Sequence, residues 1–226
     1  MKKIFTIAAI LLAASLSDMY GQDWADLNRY READKILASE TPVNGRVVFM
    51  GNSITENWYK FHPEFFTENG FIARGISGQT TPQMLVRFRQ DVVNIGAETV
   101  VILAGTNDIA GNTGYASLDM IMDNIKSMCE IAKSNGIKVV LCSVLPAYRY
   151  SWNREVEPNR LIPQLNFMIK EYAGKMGIEY IDFFSAMADN TPGNENGLPS
   201  RLSKDGVHPN LEGYRIMEEL ISGALL

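Results

Sequence analysis

Five short strand-forming runs, at residues 47–50, 71–74, 99–103, 138–143 and 178–182, alternate with longer stretches in which apolar side chains recur at helical spacing. The first, Val47 to Met50, is apolar throughout and bounded by Gly45 and Gly51, as befits a strand covered on both faces. Each intervening stretch is long enough to carry the chain back to the same end of a sheet. The pattern therefore predicts an α/β fold: a five-stranded parallel sheet in a three-layer α/β/α sandwich. Helices are expected over 23–39, with Trp24, Leu27, Tyr30, Ile36 and Leu37 inward, and over 54–69 with a break at Pro63. Others are expected from Thr81, as N-cap before Pro82, to about 94, then over 117–135, 160–175 and 211–226.

With 226 residues, 46% of them hydrophobic, the chain suits one compact domain. Residues 1–21 stand apart. Lys2 and Lys3 precede an apolar run from Ile4 to Leu16 that is too short to span a bilayer, the pattern of a secretory signal peptide. Cleavage is expected after Gly21, with Ser17 as the alternative, leaving 22–226 as a single domain. No cysteine lies there to take a lipid anchor, so the expected destination is periplasmic or secreted. Removing Lys2, Lys3 and Asp18 moves the formal charge from −5 to −6. An acidic chain without basic clusters argues against nucleic acid and against anionic membrane as partners. Cys129 and Cys142 read as buried thiols, a disulfide being the alternative, and with only His62 and His208 a histidine- or cysteine-rich metal site is not expected.

The chemistry-bearing residues fall where strands end. Gly51 and Asn52 tolerate unusual backbone angles, so Ser53 would sit on a sharp bend at the carboxyl end of the first strand, where open α/β sheets bind ligands. Ser53 is open to two readings there, a helix N-cap or a nucleophile. Gly75 to Gly78, Asn107 and the turn Asp205-Gly-Val-His208 supply what nucleophilic acyl transfer requires. His208 would remove the proton from Ser53, and Asp205 would orient the imidazole. The N–H groups of Ser53 and Gly78 and the Asn107 amide would face the oxyanion, with a side chain at position 78 obstructing the approach. His62, without an acid at matching spacing, is taken as structural or as part of the rim.

The blocks Gly51-Asn-Ser-Ile, Gly75-Ile-Ser-Gly78-Gln-Thr, Gly105-Thr-Asn107-Asp and Asp205-Gly-Val-His208-Pro resemble, in order and spacing, those of the SGNH hydrolases, the GDSL-type esterases and lipases. Nearest in kind are the platelet-activating-factor acetylhydrolase-like branch and its bacterial carbohydrate acetylesterase relatives. The resemblance implies a flavodoxin-like fold, no metal or organic cofactor, and the roles already given to Ser53, Gly78, Asn107, Asp205 and His208. One residue departs from the pattern: Asn52 stands where the family usually has Asp. An α/β-hydrolase of the lipase type is disfavoured, since no Gly-x-Ser-x-Gly elbow is present.

Substrate contacts are expected from Asn52, Trp58, Tyr148, Arg149 and Trp152. Aromatic faces beside Arg and Asn suit a sugar better than a long acyl chain, although the same aromatics could pack the loop down, and Trp58 could line an acyl pocket or cover the core. The expected activity is an exported serine esterase removing short acyl groups, acetyl foremost, from a small-molecule or oligosaccharide ester. A lysophospholipase or thioesterase of the same family and a non-catalytic glycan-binding envelope module are the alternatives.

Overall fold

The computed structural model describes residues 23–40 and 45–225; the leader expected at 1–21 lies outside them. In chain order the elements are α1 (Arg31–Ser39), β1 (Val47–Gly51), α2 (Ser53–Phe61), α3 (Pro63–Asn69), β2 (Ile72–Gly75) and α4 (Thr81–Phe88). After α4 comes a π-helical turn (Arg89–Val93), then β3 (Thr99–Leu103), α5 (Thr106–Ile109), α6 (Leu118–Ser134), β4 (Lys138–Cys142) and α7 (Pro158–Met176). The chain finishes with β5 (Glu179–Ile181), α8 (Phe183–Met187) and α9 (Leu211–Leu225). The five strands are all parallel in the order β2-β1-β3-β4-β5, the sandwich that the alternation predicts. The order reverses between β1 and β3, and the crevice outside their carboxyl ends is the natural ligand site of such a sheet.

Alternate strand residues feed two cores. Val48, Met50, Val100, Ile102, Val139 and Leu141 pack under α4, α6 and α7. Val47, Phe49, Val101, Leu103, Val140 and Ile181 pack on the opposite face under α2, α3, α8 and α9. Cys129 belongs to the first core and Cys142 to the second, so the sheet separates them and both are free thiols.

Two expectations need correction. Residues 23–30 are not helical, and Trp24 and Ile36, expected inward, are 50% and 62% exposed. Side-chain amides hold this segment instead: Gln83, Gln79 and Gln90 donate to the carbonyls of Trp24, Ala25 and Leu27. Leu37 packs half-buried against the first core as expected, but the fully buried residue of α1 is Asp34, which accepts from Nε and Nη2 of Arg74 at 2.9 and 2.7 Å. The N-cap of α4 is Thr80, one residue earlier than expected, in a reciprocal capping box with Gln83.

Beneath the rim of the sheet lies Arg87, fully buried. Its Nη2 donates to the carbonyls of Gly51 and Arg74, both at 2.9 Å, and its Nε donates to Oε1 of Gln79 at 2.6 Å. The π-turn carries Asp91 inward, and its Oδ2 accepts from Nη1 at 2.6 Å. Four of the five guanidinium N–H donors are thereby used, and the charge is neutralised in place. Removing one partner of a buried ion pair leaves the other uncompensated. Arg87→Met is therefore expected to lower the unfolding free energy by about 3–5 kcal/mol, measured by chemical denaturation.

Candidate active site

Strand register brings the blocks together. Gly51 is level with Gly75 on one side and with Leu103 on the other. Ser53, Gly78 and Asn107 follow these three residues by only a few positions, so they gather on one rim. The nucleophile candidate opens α2, whose approach to β2 is close enough that a Cβ on Gly75 would fall 2.3 Å from the Glu56 backbone nitrogen. Only glycine fits there. Asn52, not Ser53, caps α2: its Oδ1 accepts from the Ile54 N–H at 3.0 Å. Asn and Asp are equally good caps, so this departure leaves the turn intact, and the Ser53 hydroxyl is not spent on capping.

The hydroxyl points to the far end of the chain. Ser53 Oγ lies 2.8 Å from Nε2 of His208, and Nδ1 of His208 lies 2.7 Å from Oδ2 of Asp205. With Asp205 ionised, Nδ1–H donates to the carboxylate and Nε2 accepts from the serine hydroxyl, a tautomer fixed by its partners. Burial alone would raise the Asp205 pKa, but donation from the His208 N–H, the imidazole and the Val207 N–H holds it down at about 2. Ser203, 1% exposed, braces the turn by donating to the His208 carbonyl at 2.7 Å and accepting from the Gly206 N–H at 2.9 Å.

Packing between α2 and α9 explains how residues 155 positions apart meet. Trp58 of α2 stacks on Tyr214 of α9 with ring centroids 5.8 Å apart, and the Tyr214 hydroxyl donates to the Ile54 carbonyl at 2.9 Å. Glu218 of α9 accepts from the Trp58 indole at 2.8 Å, and the same oxygen lies 2.7 Å from Nδ1 of His62. His62 thus belongs to this helix contact.

The loop carrying Gly78 is clamped from both sides. Oε2 of Glu56 accepts from the Ser77 N–H at 2.8 Å and from its hydroxyl at 2.5 Å. Burial opposes ionisation of Glu56, but these bonds and Lys60 outweigh it and bring the pKa down to about 2. Across the loop, the Asn107 amide donates to the Gln79 carbonyl at 2.9 Å, leaving its second proton uncommitted there, and the Asn112 amide donates to the Gly78 carbonyl at 3.1 Å. Gly78 has φ +79°, and no atom of the described residues lies within 4 Å of a Cβ built on it. Within the protein the left-handed backbone angle, rather than crowding, selects glycine.

The expected substrate contacts divide. Tyr148 and Arg149 line a polar cavity of about 470 Å³ that reaches Asp205 and Gly206. Trp152 is half exposed, and its indole donates to Oδ1 of Asn112 at 3.2 Å. Asn52 and Trp58, each 1% exposed, are corrections: the first is a helix cap and the second is core, enclosed by Phe49, Phe65, Phe66 and Tyr214. Glu56, Ser203 and Arg87 went unrecognised in the sequence. For Arg87 a signal existed, since Met84, Arg87 and Asp91 follow one helical stripe and a charge pair on an inner stripe marks a buried network.

A parallel sheet with a serine, an imidazole and a carboxylate aligned at its switch point is the framework of an ester-cleaving hydrolase. The chain belongs to the GDSL-like Lipase/Acylhydrolase family, whose model matches residues 49–216. It is 48% identical to a GDSL-like lipase from Bacteroides thetaiotaomicron, whose crystal structure superposes with a TM-score of 0.84 over 89% of this chain and 97% of that chain. A Bacteroides fragilis structure gives a TM-score of 0.86 at 47% identity over 90% of this chain and 97% of that chain. An acetylxylan esterase of Xylanibacter ruminicola is 26% identical over 217 residues, which cover 80% of this chain and 43% of that protein. The chain thus spans less than half the length of that curated relative. Among the described residues no helix is long and apolar enough to cross a membrane.

Beside Asn107, Asp108 is 2% exposed. Burial raises its pKa to about 6, only partly offset by the Thr81 hydroxyl and N–H that donate to it. The folded protein therefore holds a proton that the unfolded chain releases near 3.8, and this contribution to stability is lost as pH rises from 3.8 through about 6. In Asp108→Asn, which keeps an acceptor for Thr81, thermal melts across that window are expected to show a smaller fall in Tm than the native chain.

Proposed function

We propose that this protein is an exported serine esterase that removes short acyl groups, acetyl above all, from carbohydrate. The observation that carries the catalytic part is the unbroken line from Ser53 Oγ through His208 to Asp205, with contacts of 2.8 and 2.7 Å. Ser53 attacks the ester carbonyl while Nε2 of His208 takes its proton. The Asp205 carboxylate, still charged at neutral pH, stabilises the imidazolium that results. Negative charge gathers on the carbonyl oxygen, where the N–H groups of Ser53 and Gly78 and the free Asn107 amide proton receive it. His208 then protonates the leaving alkoxide, and the same groups activate a water to release the acid. Glu56 joins the helix of Ser53 to the loop of Gly78, so nucleophile and oxyanion donor hold their spacing.

Two features support a sugar. The rim loop carries Tyr148, Arg149 and the half-exposed Trp152, and one relative is an acetylxylan esterase. Export is supported by the basic and apolar pattern of residues 1–21. A second reading, a lysophospholipase of the same family, draws on a cleft of about 340 Å³ beside His208, walled in part by Phe61, Pro209 and Leu211.

Ser53→Ala is expected to lower kcat by roughly 10⁴-fold or more while the fold persists, and Asn107→Ala by roughly 10²–10³-fold with a smaller change in KM. Retention of turnover in folded Ser53→Ala would refute the mechanism. Hydrolysis rates over p-nitrophenyl esters of increasing length, set beside acetate release from acetylated oligosaccharides, separate the two readings. A maximum at acetyl with release from sugars is expected; a maximum at long chains with none from sugars would establish the lysophospholipase.

A further inference from the structure

Outside the catalytic rim, between the loop that follows β3 and the loop that follows β4, lies a cavity of about 730 Å³. That is within the range of about 300–1,000 Å³ typical of sites for organic ligands. One wall carries Tyr115 and Leu118 and the other carries Asn153, Glu155, Leu161 and Gln164. Tyr115 is 87% exposed, so the fold gains almost nothing from its ring. Among the described residues neither its hydroxyl nor the Glu155 carboxylate has a side-chain partner. An open aromatic face stands beside the Glu155 carboxylate and beside Asn153 and Gln164, whose amides each donate one proton to a backbone carbonyl and keep the other. Together they offer a sugar ring a flat surface for its C–H face and acceptors and donors for its hydroxyls. Arg160 in the lining is paired with Glu157 at 3.0 Å, so the Glu155 carboxylate is the charge left open, and it favours an uncharged sugar over a uronate.

The cavity is tied to the catalytic loops. Asn153 donates to the Ala110 carbonyl at 2.9 Å, and its neighbour Trp152 stacks on Tyr150 with centroids 5.0 Å apart. The hydroxyl of Tyr150 is bonded to Thr106, beside Asn107, at 2.7 Å. Asn112 joins the Trp152 indole to the Gly78 carbonyl, so one residue spans from the aromatic loop to the oxyanion loop. A ligand seated here would rest on loops joined to those that carry Asn107 and Gly78.

We infer that this cavity is a distal subsite for an uncharged, linear pyranose oligosaccharide, holding the unacetylated part of a polymer whose ester lies at Ser53. The inference rests on the carbohydrate reading of the catalytic site, and its test is kept independent of turnover. Xylohexaose and cellohexaose, both free of acetyl groups, are titrated into folded Ser53→Ala protein by calorimetry. Saturable binding of either is expected, the difference between them identifying the backbone sugar. In the same background Tyr115→Ala is expected to weaken it about tenfold, consistent with loss of one ring contact, at unchanged Tm. Gln164→Trp, on an exposed helical position, is expected to fill the cavity and abolish binding. Absence of saturable binding to either sugar, or binding that both variants leave intact, would overturn the subsite. Failure of the native enzyme to release acetate from acetylated sugars would instead overturn the carbohydrate reading of the catalytic site, whatever the titration gives.

Discussion

A guanidinium sealed from solvent sits under the floor of the site and holds three separate pieces of chain in one place. Arg87 bonds the last carbonyl of β1, the Arg74 carbonyl near the end of β2 and the Gln79 side chain, with Asp91 supplying the opposite charge. Strand-end carbonyls in a buried crevice are out of reach of water, and that of Gly51, bonded only to the Ile76 N–H at 3.2 Å within the backbone, has a further lone pair to fill. One fork satisfies two of these groups and fixes the distance between the turn of Ser53 and the loop of Gly78. Catalysis by aligned dipoles depends on such fixed distances, because donors that must reorganise lose much of their effect. A full charge is kept in the interior because Asp91 offsets it and three neutral acceptors surround it.

Much of this was legible in the chain. The alternation of strand and helix patterns fixed the sheet, and the glycine-bearing turns marked the carboxyl ends of β1, β2 and β3, because turn chemistry is local. The pairing of Ser53 with His208 was readable only through motif order; nothing local to either residue says that they meet. What the sequence concealed was direction. Trp58 in a helical stripe is compatible with a pocket wall or a core, and only the stack on Tyr214 and Phe65 decides for the core. Residues 23–30 carry apolar side chains near helical spacing, yet the glutamines of α4 and its flanks outcompete helical hydrogen bonds there. Such long-range amide contacts leave no periodic trace. Clamps such as Glu56 and Ser203 escape for the same reason, since a polar residue near a turn is ordinary until its partner is known.

The exchange of Asp for Asn at position 52 illustrates how a motif letter and a physical role differ. What the turn uses is a short side-chain oxygen able to accept from the Ile54 N–H, and both residues supply one. Asn provides it without placing another anion beside Ser53.

The grip of α9 on α2 has a consequence for timing. Tyr214 and Glu218 hold the segment that bears Ser53, and the histidine enters just ahead of the same helix. Contacts between such distant points in a chain are the slow ones to form. The meeting of Ser53 with His208 is therefore a late event, completed when the last helix docks, and a polypeptide lacking that helix would carry both residues with nothing to hold them together.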